Sequence, residues 1–205
     1  MAKRVYLFSE GSKDDRDLLG GKGANLCEMT TLGLPVPFGF VITTPTCREY
    51  FDNGNHLPML LEQEYRIALD LVEKKMGARF GDPENPLLFS VRSGAPISMP
   101  GMMNTILNLG INDEIAEGLA KRTDNPRFAY DCYRRFIQMF ADVVLEADAH
   151  ALEARIEAHK EKQGYVTDVD MTADDWKQII DEFKTIVDFP EDPFVQLKLA
   201  VEAVF

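Results

Sequence analysis

The sequence predicts an α+β fold in which a mixed first half is followed by an all-helical second half. In the first half, short runs of β-branched and aromatic residues alternate with helical patterns, and these runs predict strands at Arg4–Phe8, Phe40–Thr43 and Leu87–Val91. From Asn112 onward, apolar residues recur only at helical spacing. We therefore expect an α/β lobe over residues 1–111.

The helical part is expected to form a subdomain over residues 112–193, with a C-terminal helix at 194–205 that returns to the lobe. Asn112 is expected to cap its first helix, and Thr172 with Asp175 resembles a capping box three residues apart. The last helix ends on apolar residues without a cap, which suggests that this chain is a fragment of a longer protein.

Within the lobe, the helical patterns have recognisable starts and stops. A helix from about Gly21 to Leu32 should end at the glycine that follows it. Thr44 resembles an N-cap because a proline follows it at the first helical position. An amphipathic helix is expected at Pro58–Met76, and a strand at Thr105–Leu109 should pair with the strand before Arg92.

Composition narrows the possible partners. The chain has 205 residues and a formal net charge of −12, which argues against nucleic acid because such interfaces are usually basic. No apolar run approaches a membrane span and no secretory signal opens the chain, so we expect a cytoplasmic protein without a membrane partner.

Cysteine and histidine usage indicates neither a metal site nor a catalytic thiol. Cys27, Cys47 and Cys132 form no Cys-x-x-Cys pair and are expected to be free and mostly buried, as in a reducing compartment. His150 and His159 fall in an acidic helical stretch, where surface positions are expected. No histidine lies in a motif typical of a phosphoryl acceptor.

The first segment whose residues suit the binding of a ligand is Leu19-Gly20-Gly21-Lys22-Gly23-Ala24-Asn25-Leu26. It precedes a helical pattern, so Lys22 should lie at a helix start, where unpaired N–H groups and the dipole favour an anion. It is not a P-loop, because Gly23 rather than Ser or Thr follows the lysine. Taken alone, such a segment is also typical of an ordinary turn.

The second element is Ser-Val-Arg-Ser-Gly-Ala-Pro-Ile-Ser-Met-Pro-Gly-Met-Met-Asn-Thr at residues 90–105. A strand ends at Arg92, whose guanidinium is a planar fork of donors suited to phosphate oxygens. The small residues that follow, Gly94 among them, allow a backbone to approach an anionic ligand closely. An ordinary surface loop with a solvated arginine is the alternative.

With the connecting segment Gly33–Thr44, these elements resemble the N-terminal nucleotide-binding domain of the pyruvate, phosphate dikinase family of PEP-utilizing enzymes. The resemblance runs in order over at least residues 1–140, and includes Phe80–Leu88 and Arg127–Phe140. The run Ser-Met-Pro-Gly-Met-Met is its most specific part, and the related water dikinases differ there.

The resemblance implies the first lobe of an ATP-grasp-like domain with an inserted helical subdomain. It implies that Lys22 and Arg92 contact the ATP phosphates and act in catalysis, and that Gly94, Gly101, Met102 and Met103 also bind the nucleotide. In that family ATP, phosphate and pyruvate become AMP, diphosphate and phosphoenolpyruvate through a phosphohistidine.

By the same resemblance, the ligands for Mg²⁺, the second ATP-grasp lobe, the phosphohistidine domain and the pyruvate barrel lie outside this chain. The isolated chain is therefore expected to be inactive. Two alternatives stay open at this point: a water dikinase-type phosphotransferase resembling phosphoenolpyruvate synthase, and a non-catalytic module that binds a partner through its helical half.

Overall fold

The computed structural model describes residues 3–94 and 105–205. The fold is mixed α/β and mostly helical, with two small sheets, which confirms the predicted α+β class. Over the described ranges, no helix is both long enough and apolar enough to cross a membrane. The chain divides into two compact units: residues 1–77, 92–104 and 205 form unit 1, and residues 78–91 and 105–204 form unit 2.

The division into units differs from the expected lobe and subdomain. Residues 78–91 and 105–111 and the last helix belong to the unit that contains the helical part. The domain boundaries expected at residues 111 and 193 stay predictions.

The described residues of unit 1 contain two strands and three α-helices. They are β1 (Val5–Leu7), α1 (Arg16–Thr31), β2 (Phe40–Ile42), α2 (Thr44–Asp52) and α3 (Leu61–Met76). The strands are antiparallel, with Val5 opposite Ile42 and Leu7 opposite Phe40. The buried side of α1 is formed by Leu19, Ala24 and Cys27, and Val41 of β2 packs against this cluster.

Arg4 ties the strands of unit 1 to two of its helices. Its guanidinium donates to both carboxylate oxygens of Glu49 at 2.8 and 2.9 Å and to Glu64 at 2.9 Å. The hydrogen bonds to Glu49 and Glu64 outweigh partial burial and raise the pKa of Arg4 further above its ordinary value. Because α2 and α3 each supply one carboxylate, this single cation fixes both helices beside β1.

Unit 2 contains most of a second sheet and five helices. They are β3 (Phe89–Arg92, of which Arg92 is counted with unit 1), β4 (Thr105–Leu109), α4 (Asp113–Thr123), α5 (Pro126–Val143), α6 (Ala149–Gln163), α7 (Ala173–Ile186) and α8 (Pro193–Ala203). β3 pairs with β4, as the sequence predicts. The loop of the expected hairpin, residues 95–104, lies outside the described residues.

Helix α5 is the centre of unit 2, packed against β4, α4, α6 and α7. Its buried aromatic side chains Phe136 and Phe140 meet Phe189 edge to face at 5.5 and 5.7 Å between ring centroids. The predicted aromatic face of this helix therefore forms core. Gln196 of α8 is fully buried, accepts from the Gly110 N–H and donates to the Ile111 carbonyl, so α8 is anchored at the end of β4.

Several local predictions need correction. The expected helix from about Gly21 is present, but a helical segment that the sequence did not predict, starting at Arg16, precedes it in α1, before the break at Gly20. The N-cap residue of α2 is Thr43, and Thr44 is the first residue of the helix. His159 is buried rather than on the surface, because Asp175 of α7 lies 2.8 Å from its Nε2 atom and gives the imidazole a partner.

Asp175 completes the predicted capping box and holds α6 to α7. Its carboxylate accepts from the Thr172 hydroxyl and N–H at 2.6 and 2.8 Å and is also hydrogen-bonded to His159. Burial by itself would raise the pKa of this carboxyl, but the hydrogen bonds from Thr172 and His159 together lower it to about 2. The charged form is therefore favoured by folding.

We predict that Asp175→Asn lowers the free energy of unfolding by about 1 kcal/mol at neutral pH, since the box loses its charged acceptor. The pKa of the folded state lies below the ordinary value of 3.8, so this stabilisation is present above pH 4 and disappears as the pH falls toward 2. Urea unfolding at several pH values measures it.

Asp174→Asn is the matched control for this prediction, because the Asp174 side chain is 92% exposed and lies on the same helical turn. It should change stability little at any pH. A difference between Asp175→Asn and the wild type that is the same at pH 2 and pH 7 would contradict the assignment.

Candidate functional site

Helix α1 is broken at Gly20. This residue has φ 69° and ψ 167°, whereas the residues on either side are helical. Glycine tolerates that backbone conformation because it has no Cβ. The segment Gly21–Thr31 therefore starts as a new helix inside α1, and the first turn of a helix carries N–H groups without intrahelical acceptors.

Lys22 lies in the first turn after this break, where the sequence places it. Its side chain is half-buried. Lys13 lies 3.6 Å from Glu28, but within residues 3–94 and 105–205 no carboxylate forms an ion pair with Lys22. A cation and a helix start thus act together here, and both favour an anionic ligand.

The segment after Arg92 meets the glycine turn directly. A Cβ placed on Gly20 would lie 2.1 Å from the carbonyl oxygen of Gly94, far inside van der Waals contact. Gly94 and Gly20 therefore approach each other backbone to backbone, and both belong to unit 1. Arg92, the exposed last residue of β3, lies two residues before this contact. The two motifs, about 70 residues apart in the chain, converge.

A second close approach fixes the other side of the break. A Cβ on Gly23 would lie 3.0 Å from both methyl groups of Val41 and 3.3 Å from the Leu19 Cβ atom. The helix that carries Lys22 consequently packs its backbone at Gly23 directly against the Val41 side chain of β2. The Gly-Gly-Lys-Gly segment thus uses its glycines for packing as well as for the turn.

The other predicted site residues are placed as follows. Gly101, Met102 and Met103 lie outside the described residues.

Burial raises the pKa of the thiols of Cys27, Cys47 and Cys132, which disfavours the reactive thiolate at each of them. In the part of the chain that the structure describes, no three His, Cys, Asp or Glu side chains form a group able to hold a metal.

Sequence reasoning missed two residues that shape this site. Val41 is the surface against which Gly23 packs, and Thr44 donates its hydroxyl hydrogen to the Asp17 carbonyl just before the break. Nothing local distinguishes Val41 from any strand residue. Thr44 did carry a signal, its position before a proline, but that signal pointed to a helix cap.

The turn, its lysine and the converging arginine segment are features typical of proteins that bind a phosphate-bearing ligand at a helix start. Comparison with known proteins agrees with this class. Residues 16–69 match the family described as "Pyruvate phosphate dikinase, AMP/ATP-binding domain". The matched segment includes Lys22, Val41 and Thr44 and stops before Arg92.

Curated relatives extend the match to the whole chain. A pyruvate, phosphate dikinase of Clostridium symbiosum is 52% identical over 212 aligned residues, covering 100% of this chain and 24% of the relative. The relative of that name from Entamoeba histolytica is 49% identical over 99% of this chain and 24% of its own length. Pyruvate, phosphate dikinase 1, chloroplastic, from Zea mays is 50% identical over 99% of this chain and 22% of its own length.

The sequence motifs indicated a resemblance to pyruvate, phosphate dikinases, and these findings confirm it. The chain spans about a quarter of the length of the curated relatives it matches. Those relatives are named as kinases, and the matched family is a nucleotide-binding domain.

We predict that Gly20→Ala lowers the free energy of unfolding by about 2–4 kcal/mol, because the new methyl group meets the Gly94 carbonyl and the backbone conformation is strained. Chemical denaturation followed by circular dichroism measures the change.

Gly33→Ala is the matched control. Gly33 has nearly the same φ, 71°, but a Cβ there meets nothing within 4 Å, so only the strain of about 1 kcal/mol is expected. Equal losses for the two variants would show that the contact with Gly94 does not constrain the turn.

Proposed function

We propose that this chain is the ATP-binding part of a pyruvate, phosphate dikinase. The observation that carries the proposal is the contact between Gly20 and Gly94, which brings the Lys22 turn and the segment after Arg92 to one place in unit 1. The match to an AMP/ATP-binding domain supports a nucleotide as the ligand. In this proposal unit 1 is the first lobe of an ATP-grasp-like domain.

Lys22 and Arg92 hold the phosphate chain of ATP in this proposal. A triphosphate brings about four negative charges, and phosphoryl transfer depends on offsetting them and on aligning the reacting groups. Arg92 remains protonated throughout, so its donors persist during transfer. Gly94, Gly101, Met102 and Met103 keep the nucleotide-binding role that the resemblance assigns to them.

The full reaction needs parts that this chain does not contain. ATP, phosphate and pyruvate would be converted to AMP, diphosphate and phosphoenolpyruvate through a phosphohistidine on another domain. A second ATP-grasp lobe and a pyruvate barrel complete the enzyme in this proposal. The ligands for Mg²⁺ are assigned to the remaining domains in this proposal, as the resemblance implies. We keep the cytoplasm as the proposed location.

We predict that Lys22→Ala and Arg92→Leu in the longer enzyme abolish phosphorylation by ATP but leave the exchange between pyruvate and phosphoenolpyruvate intact. The two half-reactions occur at different sites, so they should separate. Isotope exchange between phosphoenolpyruvate and pyruvate, and labelling of the enzyme from β-phosphoryl-labelled ATP, measure them independently.

Lys74→Ala is the control for the lysine change, since Lys74 is an exposed lysine in the last turn of α3. It should retain both half-reactions. Loss of the exchange reaction in Lys22→Ala would argue against the assignment, and phosphorylation that needs no inorganic phosphate would indicate a water dikinase instead.

For the 205-residue chain itself, we predict weak binding of Mg-ATP, with a Kd of roughly a millimolar, because one lobe offers about half of the contacts. Titration calorimetry and ¹⁵N–¹H NMR titration measure it. A submicromolar Kd would contradict the two-lobed arrangement.

A further inference from the structure

Thr44 uses its hydroxyl group for something other than capping its own helix. The N-cap of α2 is Thr43, whose hydroxyl is 2.8 Å from that of Thr46. Thr44 instead donates its hydroxyl hydrogen to the main-chain carbonyl oxygen of Asp17, in the first turn of α1. This hydrogen bond joins α2 to α1, and the two residues that form it are 27 positions apart in sequence.

The recipient carbonyl lies three residues before the break at Gly20. In an unbroken helix, the Asp17 carbonyl would accept from the N–H of residue 21. The ψ of 167° at Gly20 turns the chain out of the helical path before that N–H can be presented. A carbonyl beside such a break needs another donor, and Thr44 provides one.

Thr44 is one of three restraints around the break. On the far side, Gly23 packs on Val41, and at the break itself Gly20 lies against the Gly94 carbonyl. Val41 and Thr44 belong to one short stretch that runs from β2 into α2. The same stretch therefore holds both ends of the turn, before and after Gly20.

We propose that Thr44 is a positioning residue for the anion site at the start of the Gly21–Thr31 segment. By bonding the Asp17 carbonyl, it keeps the helix broken at Gly20 and so keeps Lys22 and the first-turn N–H groups aimed at the ligand. The inference rests on the proposed function, because it assumes that the turn binds phosphate groups. Thr44 itself does not contact the ligand.

The test compares four forms of the 205-residue chain: wild type, Thr44→Val, Thr44→Ser and Thr46→Val. Valine keeps the shape of threonine without the hydroxyl, and serine restores the hydroxyl. Thr46→Val removes the partner of Thr43 in the same helix and leaves the Asp17 contact intact, so it controls for a general loss of stability. Inorganic tripolyphosphate is the probe, titrated while the amide signals of residues 20–24 are followed by NMR.

We expect Thr44→Val to raise the Kd for tripolyphosphate about threefold to tenfold, the range that one lost hydrogen bond produces. Thr44→Ser should recover most of the affinity, and Thr46→Val should bind as the wild type does even if it melts earlier. Unchanged affinity in Thr44→Val, or equal weakening in Thr46→Val, would overturn the inference.

Amide hydrogen exchange without ligand separates this inference from the proposed function. If Thr44 holds the break, Thr44→Val frees the Asp17 carbonyl to accept from the N–H of residue 21. Amide exchange at residues 20–24 then slows relative to residues 26–31, whereas Thr46→Val leaves both sets of rates unchanged. If the wild type binds no tripolyphosphate, the proposed site is wrong, and the exchange data still decide whether Thr44 fixes the turn. Equal exchange in Thr44→Val and the wild type overturns the positioning role.

Discussion

The contact between two glycine backbones is the constraint on which the candidate site depends. Gly20 takes a conformation that side chains disfavour, and its Cα lies so close to the Gly94 carbonyl that no side chain fits between them. That contact, with the hydrogen bond from Thr44 to the Asp17 carbonyl, offsets the helical hydrogen bonding that α1 loses at the break. With it, a helix start appears within the lobe, and Lys22 occupies its first turn.

The proposed site requires an acidic protein to attract an anion. The chain carries a formal net charge of −12, so its distant field opposes a phosphate ligand. Over about 8–10 Å, however, salt screens distant charges and the local groups dominate. A lysine with no ion pair among the described carboxylates and a helix start together make that local environment positive.

Unit 2 is held together in a different way. Its aromatic core on α5 is supported by buried polar groups that are hydrogen-bonded, such as Gln196 at the end of β4 and the pair of His159 and Asp175 between α6 and α7. Such satisfied polar contacts specify how helices pack, because a misplaced helix would leave these groups buried without partners.

The sequence alone determined the α+β class, the order of nearly all elements, the aromatic face of α5 and the capping box at Thr172, since each follows from local spacing or local hydrogen bonding. The glycines before an apolar helical pattern also predicted that Lys22 lies at a helix start, but not the contact that interrupts α1 there. Tertiary structure decided the rest. The break at Gly20, the burial of His159 and the contact of Thr44 with Asp17 each depend on a partner from another element. Local pattern cannot identify such a partner, since the free energy that selects these conformations comes from contacts between residues distant in sequence.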